Sequence, residues 1–146
     1  MTFTTHDSGM TRAEVRALTV AIQGGLCAIC RAAPPTDADH DHNTGLLRGV
    51  LCASCNNRAR DYGRGPWAPD VAAYLACPPA TPFLFMWELP DWWTAGDTEA
   101  ARAAGYPTVL SWVLSHPHEP ARRAAAATEA AHRAVINADL PTLEGL

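Results

Sequence analysis

The chain contains no lysine: all eleven of its basic side chains are arginine. Charged residues make up only 18%, yet hydrophobic residues reach 48%, a balance that excludes a disordered chain and allows a packed core. Long apolar runs are missing as well. A typical one, Phe83-Leu84-Phe85-Met86-Trp87, is far shorter than the ~20 residues that cross a bilayer, so no membrane association is expected. With 15 acids against 11 arginines the net charge is -4, which excludes a general basic coat for nucleic acid. At 146 residues a large multidomain enzyme is excluded too. The opening residues, from Met1 to His6, show no basic start followed by an apolar stretch, so a cytoplasmic location is the expectation. Base composition of the genome accounts for the missing lysine, as the 28 alanines and 12 prolines also indicate; recognition of phosphate by arginine is compatible with it.

The charge is unevenly spread. Residues 66–146 hold four arginines and nine acids, whereas within 43–65 Arg48, Arg58, Arg60 and Arg64 face only Asp61. Any phosphate-binding surface is therefore expected in the first half. Thr11 and Glu14 form a capping box, and Val15, Leu18 and Ile22 recur at helical spacing until Gly24-Gly25, which predicts a helix over 11–23. A strand-like run, Leu46-Leu47-Arg48-Gly49-Val50-Leu51, precedes a helix expected from about Cys52–Ser54 to before Gly63. Gly63-Arg64-Gly65-Pro66 is turn chemistry and places a module boundary near residue 65. Beyond it the sequence predicts helices over 70–76, 98–104 with Asp97 as cap, one opened by Pro107, and an alanine-rich helix over about 121–137.

Cys27, Cys30, Cys52 and Cys55 form two C-x2-C pairs separated by 21 residues. In a chain without an export signal this spacing favours tetrahedral zinc, because a two-residue gap lets each pair turn both sulfurs toward one metal. A redox pair is the alternative, although such sites do not come doubled. The fifth cysteine, Cys77, reads as a buried thiol packed like a small apolar residue.

Between the pairs runs Asp37-Ala38-Asp39-His40-Asp41-His42-Asn43-Thr44-Gly45, and Asn56-Asn57 follows the last cysteine. Four thiolates already fill a zinc shell, so these groups are surplus to it. On an extended chain Asp39 and Asp41 point one way and His40 and His42 the other, unless the backbone bends. A hard divalent cation could take a carboxylate and an amide oxygen, leaving an imidazole to move a proton. A polar loop with hydrogen-bonded histidines fits the same residues, and both readings stay open on composition alone.

The combination of Gly24-Gly25, Cys27 and Cys30, then Asp39-His40-Asp41-His42, Thr44-Gly45, Arg48-Gly49, Leu51-Cys52 and Cys55-Asn56 resembles the recombination endonuclease VII family, within the wider His-Asn-His or ββα-metal nucleases. The likeness covers about residues 9–63. It implies a structural zinc on Cys27, Cys30, Cys52 and Cys55, a catalytic Mg2+ or Mn2+ on Asp39 and Asn56, and His40 as general base. His42 would contact the phosphate or complete the site, with Arg48, Asn57 and Arg58 as nucleic-acid contacts; a solvated strand position fits Arg48 equally well. Many relatives carry Leu-Gly where this chain has Ala59-Arg60, a departure that touches helix packing or substrate contacts and spares the metal ligands.

The expected architecture is thus α+β: a zinc-stabilised ββα-metal module over 1–65 and a mainly helical extension over 66–146. The implied function is metal-dependent hydrolysis of DNA phosphodiesters, by a junction-resolving or nicking enzyme of phage or mobile-element origin. A non-catalytic zinc module binding nucleic acid or protein is the alternative, and the same chemistry on RNA is a third. The acidic extension is expected to pack on the module or pair with a second copy, so a homodimer is compatible with the resemblance. Trp87, Trp92 and Trp93 read first as core, His116 and His118 as loop histidines, and Arg122, Arg123 and Arg133 as a solvated helix face.

Overall fold

The computed structural model describes residues 9–61 and 64–139; the opening residues and Gly63 of the expected boundary lie outside them. Helix α1 (Arg12–Ile22) begins where Thr11 accepts from the Glu14 amide and the Glu14 carboxylate accepts from the Thr11 amide. Such a cap is worth about 1 kcal/mol. Val15 and Thr19 turn inward, and Gly24 and Gly25, at φ 70° and 79°, reverse the chain where a side chain would be strained.

Strands β1 (Asp37–His40) and β2 (Leu47–Leu51) pair antiparallel, with Asp37 opposite Leu51 and Asp39 opposite Gly49. The register slips between Asp39 and His40, which faces Leu47 rather than Arg48. That irregularity and the tight turn after it supply the bend that breaks strict alternation. Leu47, Val50 and Leu51 are fully buried. The outer edge of β2 is covered by side chain and loop. Gln23 accepts from Val50 N and donates to Val50 O, both at 2.8 Å, while Ala80 N donates to Arg48 O and Leu47 N to Phe85 O. Helix α2 (Ala53–Arg60) then follows, with Cys52 at its N-cap.

The remaining helices are α3 (Ala68–Ala76), α4 (Ala95–Ala103), α5 (Val109–Ser115) and α6 (Glu119–Asp139), with a 3-10 turn over Thr81–Phe83. The α+β class expected from sequence is present: among the described residues, six helices accompany one two-stranded sheet. Three apolar clusters hold it together. One joins Cys27, Ile29, Leu51, Cys55 and Ala59 to Val71 and Tyr74 of α3, so the core continues across position 65. A second gathers Met86, Trp93, Ala101, Val109, Leu110 and Val113; the third packs Val15 and Leu47 on Ala80 and Phe85.

Several local expectations need correction. α4 starts at Ala95, because Thr94 and Asp97 form a capping box and Asp97 sits inside the helix. Pro107 precedes α5, whose cap is Thr108. Cys77 is exposed at the end of α3. Arg123 is no solvated residue: it pairs with Asp97 at 3.1 Å and lies 5.4 Å over the Trp92 ring, tying α6 to α4. No described helix is long and apolar enough to cross a membrane.

The loop 41–46 is held from outside by the segment around residue 88. A Cβ on Gly45, at φ 78°, would stand 2.1 Å from Glu88 O and 2.7 Å from Met86 Sδ. Gly45→Ala is therefore expected to destabilise the fold by more than about 1 kcal/mol, read as a lower urea midpoint.

Candidate active site and metal centre

Two loops deliver the thiols. After α1, Cys27 N donates to Ala33 O and Arg31 N to Cys27 O, a tight knuckle in which Arg31 takes φ 53°. At the other loop Cys52 caps α2, its sulfur accepting from Cys55 N at 3.4 Å. The sulfurs of Cys27, Cys30, Cys52 and Cys55 lie within 4.8 Å of one another, and this is the one group of three or more Cys, His, Asp or Glu ligands among the described residues. A tetrahedral shell with Zn–S bonds of about 2.3 Å places sulfurs about 4 Å apart, so the donor set fits structural zinc. Cys27 and Cys55 are fully buried. Burial pushes the Cys55 thiol up, while the backbone bond at Ala33 pulls the Cys30 thiol down. A bound cation favours the thiolate form of all four together. Arg58 donates to Cys55 Sγ at 3.2 Å and lies 4.1 Å over the Trp67 ring, so this predicted nucleic-acid contact also buttresses the cysteine centre.

Next to the sheet, Asp39, Asp41, His42, Asn43, Arg48, Asn56 and Arg60 line one open cavity of about 520 Å³. The bend after β1 brings the first acid and the second histidine together despite their opposite parity. Asp39 is only 8% exposed and well partnered: Arg48 donates Nε to Oδ2 and Nη2 to Oδ1, each at 2.9 Å, and the Tyr74 hydroxyl donates to Oδ2 at 2.7 Å. Arg48 is thus a half-buried partner of Asp39 and not a solvated strand residue. Burial opposes its charge, but the bonds to Asp39 outweigh this and raise its pKa. Burial, followed by the Asp39 charge, drives the Tyr74 pKa up, so the phenol stays a neutral donor.

A carboxylate offers about four acceptor positions, so three bonds leave room for one further ligand on Asp39. Asn56 donates through Nδ2 to Asp37 Oδ2 at 3.3 Å, which frees its Oδ1 for a cation. Asp41 is used differently. Its Oδ1 accepts from Asn43 N at 2.7 Å and Thr44 N at 3.2 Å, shaping the turn.

His40 does not line the cavity. It is half-buried, with its ring 4.5 Å from the His42 ring at 34° between planes. Burial lowers its pKa, with the neighbouring His42 adding to the shift, so the imidazole is neutral at pH 7. His42 Nδ1 lies 3.0 Å from Asp91 Oδ2. Asn57 is exposed on α2 and lies away from the cavity wall. Sequence reasoning missed Tyr74, Asp91 and Arg60. Tyr74 sits at core spacing three residues after Val71, and Asp91 stands in an aromatic stretch with no motif. Arg60 carried a signal, as part of the arginine excess over 43–65.

Two antiparallel strands, a helix packed beside them and four gathered thiols define a ββα module with a cysteine centre suited to zinc. The model of recombination endonuclease VII matches residues 2–75, and the chain belongs to that family. It is similar to the Gene 59 protein of Mycobacterium phage L5, 42% identical over 69 residues that cover 40% of this chain and 39% of that protein. It is also similar to the Gene 59 protein of Mycobacterium phage D29, 40% identical over 88 residues, 48% of this chain and 53% of that one. The chain therefore spans about half or less of the length of these curated relatives. No solved structure matches it.

The cysteine centre yields a direct expectation. Cys52→Ser removes a zinc ligand while its hydroxyl can still cap α2, so the loss reports on the metal alone: the protein should be unfolded and zinc-poor by circular dichroism and metal analysis. Treating the unaltered protein with a zinc chelator should produce the same spectrum.

Proposed function

We propose that the chain is a divalent-metal-dependent endodeoxyribonuclease, with the cysteine centre as scaffold and the cavity beside β1 as active site. The observation that carries this reading is the convergence of Asp39, Asn56 and His42 on one cavity, in a chain of the recombination endonuclease VII family. A binding module has no need to bring a buried carboxylate, a free amide oxygen and an imidazole together.

Asp39 and Asn56 would hold Mg2+ or Mn2+, with Arg48 and Tyr74 keeping the Asp39 carboxylate in a single orientation. Such a cation, when bound, neutralises charge on the phosphate and the leaving oxygen, which lowers the main barrier to attack on a phosphodiester. His40 is not part of the cavity lining, but its ring packs on that of His42, which is, and we assign it the role of base. It accepts a proton from water as the new O–P bond forms, while the bond to the 3′ oxygen breaks and that oxygen takes a proton from solvent, leaving a 5′-phosphate and a 3′-hydroxyl. His42, on the cavity wall, contacts the phosphate. Arg60 is exposed on the same wall, and with Asn57 and Arg58 on α2 it supplies the contact surface for the DNA backbone.

Supercoiled plasmid should be nicked in the presence of Mg2+ or Mn2+ and left intact with EDTA. His40→Ala should lower the rate by about 10²- to 10⁴-fold with zinc content and circular dichroism unchanged. Full activity in that variant removes His40 as base, and an inactive wild type leaves the non-catalytic binding module as the reading.

The similarity to mycobacteriophage proteins supports a phage setting. We also assign a homodimer contact to α6, whose residues 125–138 are exposed and present Val135 and Ile136 to solvent at 62% and 49%. Sedimentation equilibrium should return twice the chain mass of 15.6 kDa, and Val135→Glu should return the monomer mass.

A further inference from the structure

The segment 86–93 lies beyond the residues matched by the family, 2–75, yet it grips the loop that carries the histidines. Trp87 N and Glu88 N both donate to Gly45 O, at 2.8 and 3.2 Å, and Asp91 N donates to His42 O at 3.0 Å. The Trp92 indole donates to Asn43 O at 2.8 Å. On this frame Asp91 Oδ2 lies 3.0 Å from His42 Nδ1, and the His42 ring packs on that of His40.

An isolated exposed ion pair contributes little, and these two side chains are 64% and 68% exposed. The main-chain bond between the same two residues alters the balance. It brings the carboxylate and the imidazole together before their side chains meet, so little entropy is lost in forming the second contact. An imidazole with one nitrogen on a carboxylate keeps its proton there and offers the other nitrogen to a ligand.

We propose that Asp91 is a positioning residue for the two histidines: it holds the Nδ1 proton of His42, leaves Nε2 for the substrate, and through the ring contact fixes His40 as well. The extension thereby contributes a group to a site otherwise built from the family-matched module. This rests on the nuclease reading given above.

The test combines nitrogen NMR of the imidazoles with cleavage kinetics on the full chain. At an alkaline pH, where imidazoles are neutral, His42 of the wild type should be protonated at Nδ1. In Asp91→Ala the proton should move to Nε2, the form favoured by a free histidine, and kcat should fall by about 10- to 100-fold with KM for DNA little changed. Asp91→Asn retains an acceptor oxygen and should recover the Nδ1 form and part of kcat. The bonds from the residue 91 amide and the Trp92 indole persist in both variants, so circular dichroism should match the wild type. An Asp91→Ala protein that cleaves at the wild-type kcat, or whose His42 stays protonated at Nδ1, overturns the role of Asp91 while the nuclease reading stands. A wild type that fails to cleave with Mg2+ or Mn2+ overturns both.

Discussion

Four sulfur atoms within 4.8 Å of one another are the constraint on which the first half of this molecule depends. The knuckle after α1 and the start of α2 are distant in sequence and share few large apolar residues. Without a cation, four thiols at that spacing contribute only weak contacts; as thiolates around zinc they would supply folding free energy that a small core lacks. The sheet between them has two strands, and its position relative to α2 follows from where the cysteines meet. The cavity with Asp39 and Asn56 lies along that same junction of β1 and α2.

Around this centre the polar groups follow a consistent rule: what is buried is partnered. Asp39 is tucked under Arg48 and Tyr74, and the Arg48 charge is balanced where its burial would otherwise cost most. Tyr74 comes from α3, past the expected boundary at residue 65, so the helix that completes the cysteine core also completes the acid's coordination. The metal-ligand role proposed for Asp39 therefore involves three chain segments, with the arginine and the phenol setting how much negative charge the carboxylate has left to offer.

How much of this was legible in the sequence depended on the range of the signal. The capping box at Thr11, the Gly24-Gly25 stop, the cysteine spacing and the helix after Cys52 are local, and each appears where its residues indicate. Parity along 39–42 was a weaker guide. The register slip at Asp39/His40 and the Asx turn at Asp41 send side chains where strict alternation does not. The phenol on Asp39 and the carboxylate on His42 lie 35 and 49 positions away, at Tyr74 and Asp91, and no spacing rule links them. Cys77 shows the opposite failure: its residue type suggested burial, but its place at the end of α3 leaves it in solvent.

A sheet of only two strands has two open flanks, and an open flank invites a strand from another molecule. Here the amide of Gln23 imitates a peptide group, offering its oxygen and its nitrogen to Val50 as a neighbouring backbone would. The side chain at the end of α1 and the backbone of Ala80 and Phe85 together therefore stand in for a third strand. Groups of β2 that would otherwise be a template for aggregation are occupied from within the chain.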